Sequence, residues 1–413
     1  MSKLDPKAYS AILRTTEAYR FDAGTFLMRL FAYTTTIGTI STLTLAGASA
    51  FEASSVASLI AVCMFFVAPR VSKRIDERGQ SAVVPPATAI AAAGLFLMLA
   101  TTHFGGPFWL NFLAAPLISF LPNAPSLART RWTFLISSGR LGKNAPRLST
   151  AYAYEGILED IAFMVGPAAV VALSATITPI AGMLIGFIVY CIGTALLISS
   201  KNTEPEPSLA GRHDNDTPRK APRKASVLRS SAVVRVVFAV MVLFGAVYGA
   251  LDTSIISFSE TVGFAALASI AFAAESVFSV VVSFLFGTLG LNTPLRRQFV
   301  VFAIAYGVLY SLFVLVNAPT SLIVIACVAA LAYSPLYITS NLTCERAVEP
   351  ENLTEAISWL ASGQSIGMVI GPVTAGAVID AFGSLAGFNV VAGFAVCIIA
   401  LTCACIPVLR KHL

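Results

Sequence analysis

Apolar residues run through this chain in long blocks, most of them too long for a soluble core and without the alternation of a strand. Twelve such blocks stand out, at about 24–46, 52–68, 82–101, 107–128, 152–174, 178–199, 233–257, 263–286, 298–316, 319–342, 355–378 and 384–408. A helix needs about 20 mostly apolar residues to cross the hydrocarbon layer, whereas a barrel strand needs about 10 with a period of two. The pattern therefore predicts an all-α membrane protein with twelve transmembrane helices. In lipid, a helix satisfies every backbone donor and acceptor within its own segment, which is why the prediction is helical.

The polar positions between the blocks give the orientation. Lys and Arg cluster before the first block and in alternate connections thereafter: Arg70, Lys73, Arg74 and Arg78; Arg129, Arg131, Arg140, Lys143 and Arg147; a long central run from Lys201 to Arg235; Arg296 and Arg297; Arg346; and Arg410 with Lys411. The other connections have none; Arg235 falls at the very start of its block, and Arg29 alone lies well inside one. Positive residues stay on the cytoplasmic side, so both termini are expected in the cytoplasm and the number of spans is even. An inner (plasma) membrane location in a bacterium is the corresponding expectation.

The central connection, 201–232, is charged and proline-rich, with Glu204-Pro205-Glu206-Pro207 at one end and Pro218 to Lys224 further on. Such a composition cannot bury a core and reads as a linker. The expected domains are a cytoplasmic segment 1–21, a six-helix bundle 22–200, the linker 201–232 and a second six-helix bundle 233–409. An internal match supports two pseudo-symmetric halves. Gly166-Pro167 in the fifth block and Gly371-Pro372 in the eleventh are 205 positions apart, and at that offset Ala151 meets Ala356, Tyr154 meets Trp359 and Ile161 meets Ile366.

Composition adds exclusions. Hydrophobic residues are 57% of the chain and charged ones 12%, against about 25% charged in soluble domains. The net charge of +6 is spread over short connections rather than along one soluble face, which argues against nucleic acid as a partner. The first 20 residues lack the apolar core of a signal peptide. The seven cysteines and three histidines form no metal-ligand spacing, and no phosphate-cradling loop is present, so no metal, cofactor or enzymatic chemistry is expected. The expected partners are a small-molecule solute, the bilayer and protons, with a monomer as the working unit.

Over its whole length the chain resembles the major facilitator superfamily. The second-to-third connection, Pro69 to Gln80, is similar to the signature loop of that family and retains Asp76, Arg78 and Gly79, although Glu77 stands where an arginine is common. The segments Phe26 to Leu30, Pro122 to Trp132 and Glu155 to Pro167 resemble bacterial members. The Gly-Pro pairs resemble the fifth-span motif of drug–proton antiporters, with a better match around Gly367, Gly371 and Gly376 than around Gly166. Packing and bending of helices is the simpler role for Gly166, Pro167, Gly371 and Pro372.

The resemblance implies two six-span bundles rocking about a central cavity. It implies a cytoplasmic latch in which Asp76, with Arg78 and Gly79, meets Arg129 or Arg131 and the start of the eleventh span. It also implies that the first, fourth, seventh and tenth spans line the cavity. There the chain offers Trp109, Phe112, Tyr248, Tyr333 and Tyr337, a lining suited to a hydrophobic or amphipathic solute. Charges inside lipid are costly and point to function, which makes Glu275, Asp252 and Arg29 candidates for proton coupling or solute binding. Glu275 falls near the midplane, Asp252 toward the outer end of its span, and Arg29 near enough to the cytoplasm to snorkel. Glu155, Glu159 and Asp160 are expected to pair with Arg129, Arg131 or Arg147. Proton-coupled export is the first functional expectation, with facilitated uptake of a nutrient or metabolite second. A non-transporting receptor or assembly factor on the same scaffold is the reading from another class.

Overall fold

The computed structural model describes residues 15, 18–139, 141, 148–205, 227–288, 293–348 and 353–412. The fold is all-α. Among the described residues, ten helices are long and apolar enough to cross a membrane. In chain order, α1 is Tyr19–Ala32, α2 Thr35–Leu45, α3 Ala50–Arg78, α4 Gln80–Phe104, α5 Leu110–Ile118, α6 Ala124–Ser137, α7 Leu148–Thr176 and α8 Ala181–Ser199. After a single turn at Val227–Ser230 come α9 Ala232–Thr261, α10 Ala266–Thr288, α11 Leu295–Ser311, α12 Pro319–Ala347, α13 Leu353–Phe382 and α14 Ser384–His412.

Two of the twelve expected spans are broken, the first and the fourth. The first is α1 followed by α2, interrupted at Tyr33–Thr34. Here the hydroxyls of Thr34 and Thr35 donate to the carbonyls of Phe31 (2.7 Å) and Ala32 (3.0 Å), a local competition with the helical ladder that bends helices. The fourth is α5 followed by α6. Pro122 brings no N–H to continue α5. Asn123 then caps α6 by accepting from the Ser126 N–H at 3.0 Å, with a proline in the first turn. A hydropathy window sees neither interruption, because Thr and Pro in an apolar context still average as a span.

The chain forms two compact units. One contains Met1–Thr42 and Val62–Asp216; the other contains Leu43–Ala61 and Thr217–Leu413. In the first unit, α1 packs along α8 and also touches α6 and α7, while α4 packs on α5. In the second, α9 lies along α13 and α14, α11 along α14, and α10 along α12.

The glycines of the repeat sit at equivalent crossings. A Cβ on Gly166 of α7 would run into the Leu30 carbonyl of α1, and a Cβ on Gly371 of α13 would run into the Ala246 carbonyl of α9. In both units the fifth span thus meets the first span of its own half through a glycine. Close backbone approach of this kind is how helices associate where no hydrophobic driving force separates them from lipid.

Candidate functional site

The second unit buries two carboxyls. Asp252 of α9 is 1% exposed and Glu275, in the middle of α10, is 6% exposed. They are electrostatic neighbours. The Tyr310 hydroxyl, from α11, donates to Glu275 Oε1 at 3.0 Å. Asp252 Oδ2 and the Tyr306 hydroxyl are buried and have no hydrogen-bond partner among the described residues. Every ion pair between described residues lies in the first unit, so neither carboxyl has a basic partner there.

Aromatic rings surround this pair. Tyr306 stacks on Tyr310 with ring centroids 4.0 Å apart. Phe244 lies 5.0 Å from Tyr306, 4.9 Å from Tyr333 and 6.3 Å from Tyr337, and Tyr248 lies 5.6 Å from Tyr333. Phe244, Tyr306 and Tyr310 are fully buried, Tyr333 is half-buried and Tyr337 is exposed, so the cluster runs from the carboxyls outward through α12. The reason for the convergence is helical. Phe244, Tyr248 and Asp252 recur every four residues and share one face of α9, and Tyr306 and Tyr310 do the same on α11.

Of the cavity candidates, Tyr248, Tyr333 and Tyr337 belong to this cluster. Trp109 and Phe112 are exposed at the start of α5, where Phe112 contacts Phe108 at 5.8 Å. Tyr306 and Tyr310 were not among the sequence candidates. Their four-residue spacing was visible, but nothing in the chain said that α11 faces α9 and α10.

In the first unit, Arg29 does not snorkel. It is fully buried and ion-pairs with Glu155 of α7, and it also donates to the Glu155 carbonyl at 3.4 Å. The indole N–H of Trp132, on α6, lies 2.9 Å from Glu155 Oε1 and 3.0 Å from Asp22 Oδ1. Glu159 takes Arg129 at 2.7 Å and the Tyr33 hydroxyl at 2.7 Å. The expected pairing of this acidic cluster with Arg129 is thus made by Glu159, while Glu155 takes a partner that distance along the chain had hidden. Arg147 and the side chain of Asp160 lie outside the described residues.

The signature segment is organised by a turn of one residue. Gly79 alone joins α3 to α4, with φ at 90°, a conformation that L side chains avoid. Asp76 and Arg78 are exposed in the last turn of α3. Asp76 borders a cleft of about 300 Å³ with Ser72, Gln80, Asn123, Ser126 and Thr130. Arg131 is buried and donates to Gln80 Oε1, the Ser200 carbonyl and Thr203 Oγ1, each at 2.7 Å. Glu204 accepts from the backbone N–H of Ser81 at 2.8 Å and from its hydroxyl, capping α4. The opening residues of the 201–232 segment are therefore docked; 206–226 lie outside the described residues, as do Asn352 and the side chains of Thr354 and Glu355 at the start of the eleventh span.

Residues 265–412 match the family model of the Major Facilitator Superfamily. The match covers about a third of the chain, from α10 to α14. No curated protein matches the sequence. Among solved structures, the nucleoside transporter NupG is similar at a TM-score of 0.69 and 16% identity, over 97% of this chain and 100% of that one. A structure from work on proton dependent oligopeptide transporters is similar at 0.64 and 13%, over 97% and 100%. The peptide transporter POT in complex with sulfate is similar at 0.69 and 12%, over 96% and 95%. At these identities the likeness is one of fold.

Proposed function

We propose that the chain is a proton-coupled secondary transporter of a small hydrophobic or amphipathic solute, with Glu275 and Asp252 as the coupling carboxyls. The observation that carries this reading is the pair itself: two carboxyls, both buried in the same unit, with no basic partner among the described residues. Burial without a counter-ion disfavours the charged form of both, so charge is most cheaply removed by a proton. A group that gains and loses a proton in a cavity wall links the proton gradient to the position of that wall. The aromatic surround supplies apolar contact for the solute, with Tyr333 and Tyr337 on its open side.

Export in exchange for protons is the first direction, by a monomer in a bacterial inner membrane with both termini in the cytoplasm. Uptake is the second reading, and it draws on the fold shared with a nucleoside transporter and with proton dependent oligopeptide transporters. A thermal-shift screen of the purified protein against a broad solute panel identifies a substrate. Transport of that substrate into proteoliposomes with an imposed pH gradient then tests the coupling. Glu275→Gln keeps size and hydrogen bonding but cannot titrate. Gradient-driven transport should fall to the passive rate while exchange without a gradient persists. An unchanged pH profile and unchanged sensitivity to uncouplers would remove the coupling role and leave facilitated diffusion.

A further inference from the structure

The first unit holds a second buried carboxyl pair, in a different chemical setting. Asp22 opens α1 and Arg29 lies two turns further along the same face. Trp132 comes from α6 and Glu155 from α7. Arg29, Trp132 and Glu155 are fully buried and Asp22 is 6% exposed. One indole N–H reaches both carboxyls, at 3.0 Å and 2.9 Å, which holds them close together.

The charge count is uneven. The titratable and charged groups near this pair are Tyr19, Arg29 and Tyr33 on α1, Arg129 and Arg131 on α6, and Tyr154, Glu155 and Glu159 on α7; α8, packed along α1, carries no charged side chain. Arg129 is taken by Glu159 and Arg131 by Gln80, Ser200 and Thr203. Among the described residues that leaves one guanidinium, Arg29, for two carboxyls. A neutral N–H shared between two oxygens offsets neither charge fully. Like charges gathered on one donor in a low dielectric do not both ionise.

We propose that Asp22 binds one exchangeable proton beside the Arg29–Glu155 ion pair, with Trp132 bridging the two carboxyls. Glu155 stays the partner of Arg29, so the proton resides chiefly on Asp22. The site joins α1, α6 and α7, and it is separate from Glu275 and Asp252. Loss of the proton leaves an uncompensated carboxylate at this three-helix junction and pushes α1 away from α7. The ligand class is the proton itself, and the consequence is a pH-dependent junction in the unit that lacks the aromatic cluster.

Trp132 is a built-in reporter. In a Trp109→Phe, Trp359→Phe background it is the only indole, since the chain has three tryptophans. Purified protein in detergent is titrated while indole emission and the melting temperature are followed. The expected result is a reversible step in Trp132 emission as pH rises, accompanied by a falling melting temperature. Asp22→Asn keeps the hydrogen bonds but carries no titrating proton. It should abolish the step, melt like the parent at acid pH and hold that melting temperature as the pH rises. Glu275→Gln should leave the step in place, which separates this site from the proposed coupling pair. A parent without a step below the onset of alkaline unfolding overturns the proposal. So does an Asp22→Asn variant whose step and melting profile coincide with those of the parent.

Discussion

At the scale of single residues, the membrane setting makes each buried charge depend on its partner. Glu155 shows this most directly, because it neutralises Arg29 and accepts from Trp132 at once. Removing one partner of a buried pair leaves the other charge uncompensated, at a cost of about 3–5 kcal/mol, whereas replacing both with apolar groups of similar volume is often neutral. Glu155→Gln should therefore lower stability, by at most about that amount because Asp22 can ionise in its place, read from the melting temperature in detergent. Arg29→Met combined with Glu155→Gln should recover much of the loss. A double variant as unstable as the single one would mean that the pair contributes packing rather than charge balance. Part of this was legible in the sequence. Arg29 was conspicuous as a basic residue inside an apolar block. Asp22 was not, because it fell just before the expected start at residue 24, and α1 in fact begins at Tyr19.

At the scale of elements, helix crossings carry the argument. Gly166 and Gly371 each let a backbone carbonyl of a neighbouring helix approach, at Leu30 and Ala246. Overpacking a filled interior typically costs about 1–3 kcal/mol, and here the obstacle is backbone, which cannot rotate away. Gly371→Leu and Gly166→Leu should each lower the melting temperature clearly, while Gly393→Leu, where a Cβ meets nothing, serves as the control. A second element-level feature lies in the second unit. The Asp380 carboxylate, near the end of α13, accepts the backbone N–H groups of Ala50 and Phe51 at 3.0 Å and 3.2 Å and so caps the start of α3. Ser58 reinforces the crossing by donating to the Val369 carbonyl at 2.9 Å. A charged acceptor at a helix N-terminus is favourable, and truncating such a cap costs about 0.5–2 kcal/mol. Asp380→Ala should show a loss of that order in thermal melts, and Asp380→Asn a smaller one. Equal melting of all three proteins would make the contact incidental. The cap was invisible beforehand, because Asp380 and Ala50 are 330 positions apart.

For the whole molecule, the alternation of basic connections makes a prediction that does not depend on any side-chain contact. In a cysteine-free background, Arg74→Cys should react with membrane-impermeant thiol reagents only from the cytoplasmic side, and His103→Cys only from the opposite side. Labelling of both from one side would break the alternation and with it the even span count.

The sequence by itself determined the all-α membrane class, the placement of the helical segments and the repeat at Gly166 and Gly371. These follow from transfer free energy, which depends on composition within a window, and from backbone satisfaction, which in lipid admits only a helix for such a run. It also marked which polar residues were out of place, Glu275, Asp252 and Arg29. The tertiary structure decided what those residues meet: Arg29 with Glu155 rather than water, Glu275 with Tyr310, and Arg131 with Gln80, Ser200 and Thr203. It also decided that the first and fourth spans break, at hydroxyls and a proline that a hydropathy average passes over. The physical reason is range. Hydrophobicity acts locally along the chain and can be read from it, whereas charge neutralisation and hydrogen bonding act between helices, and their partners are set only by which faces the packed bundle brings together.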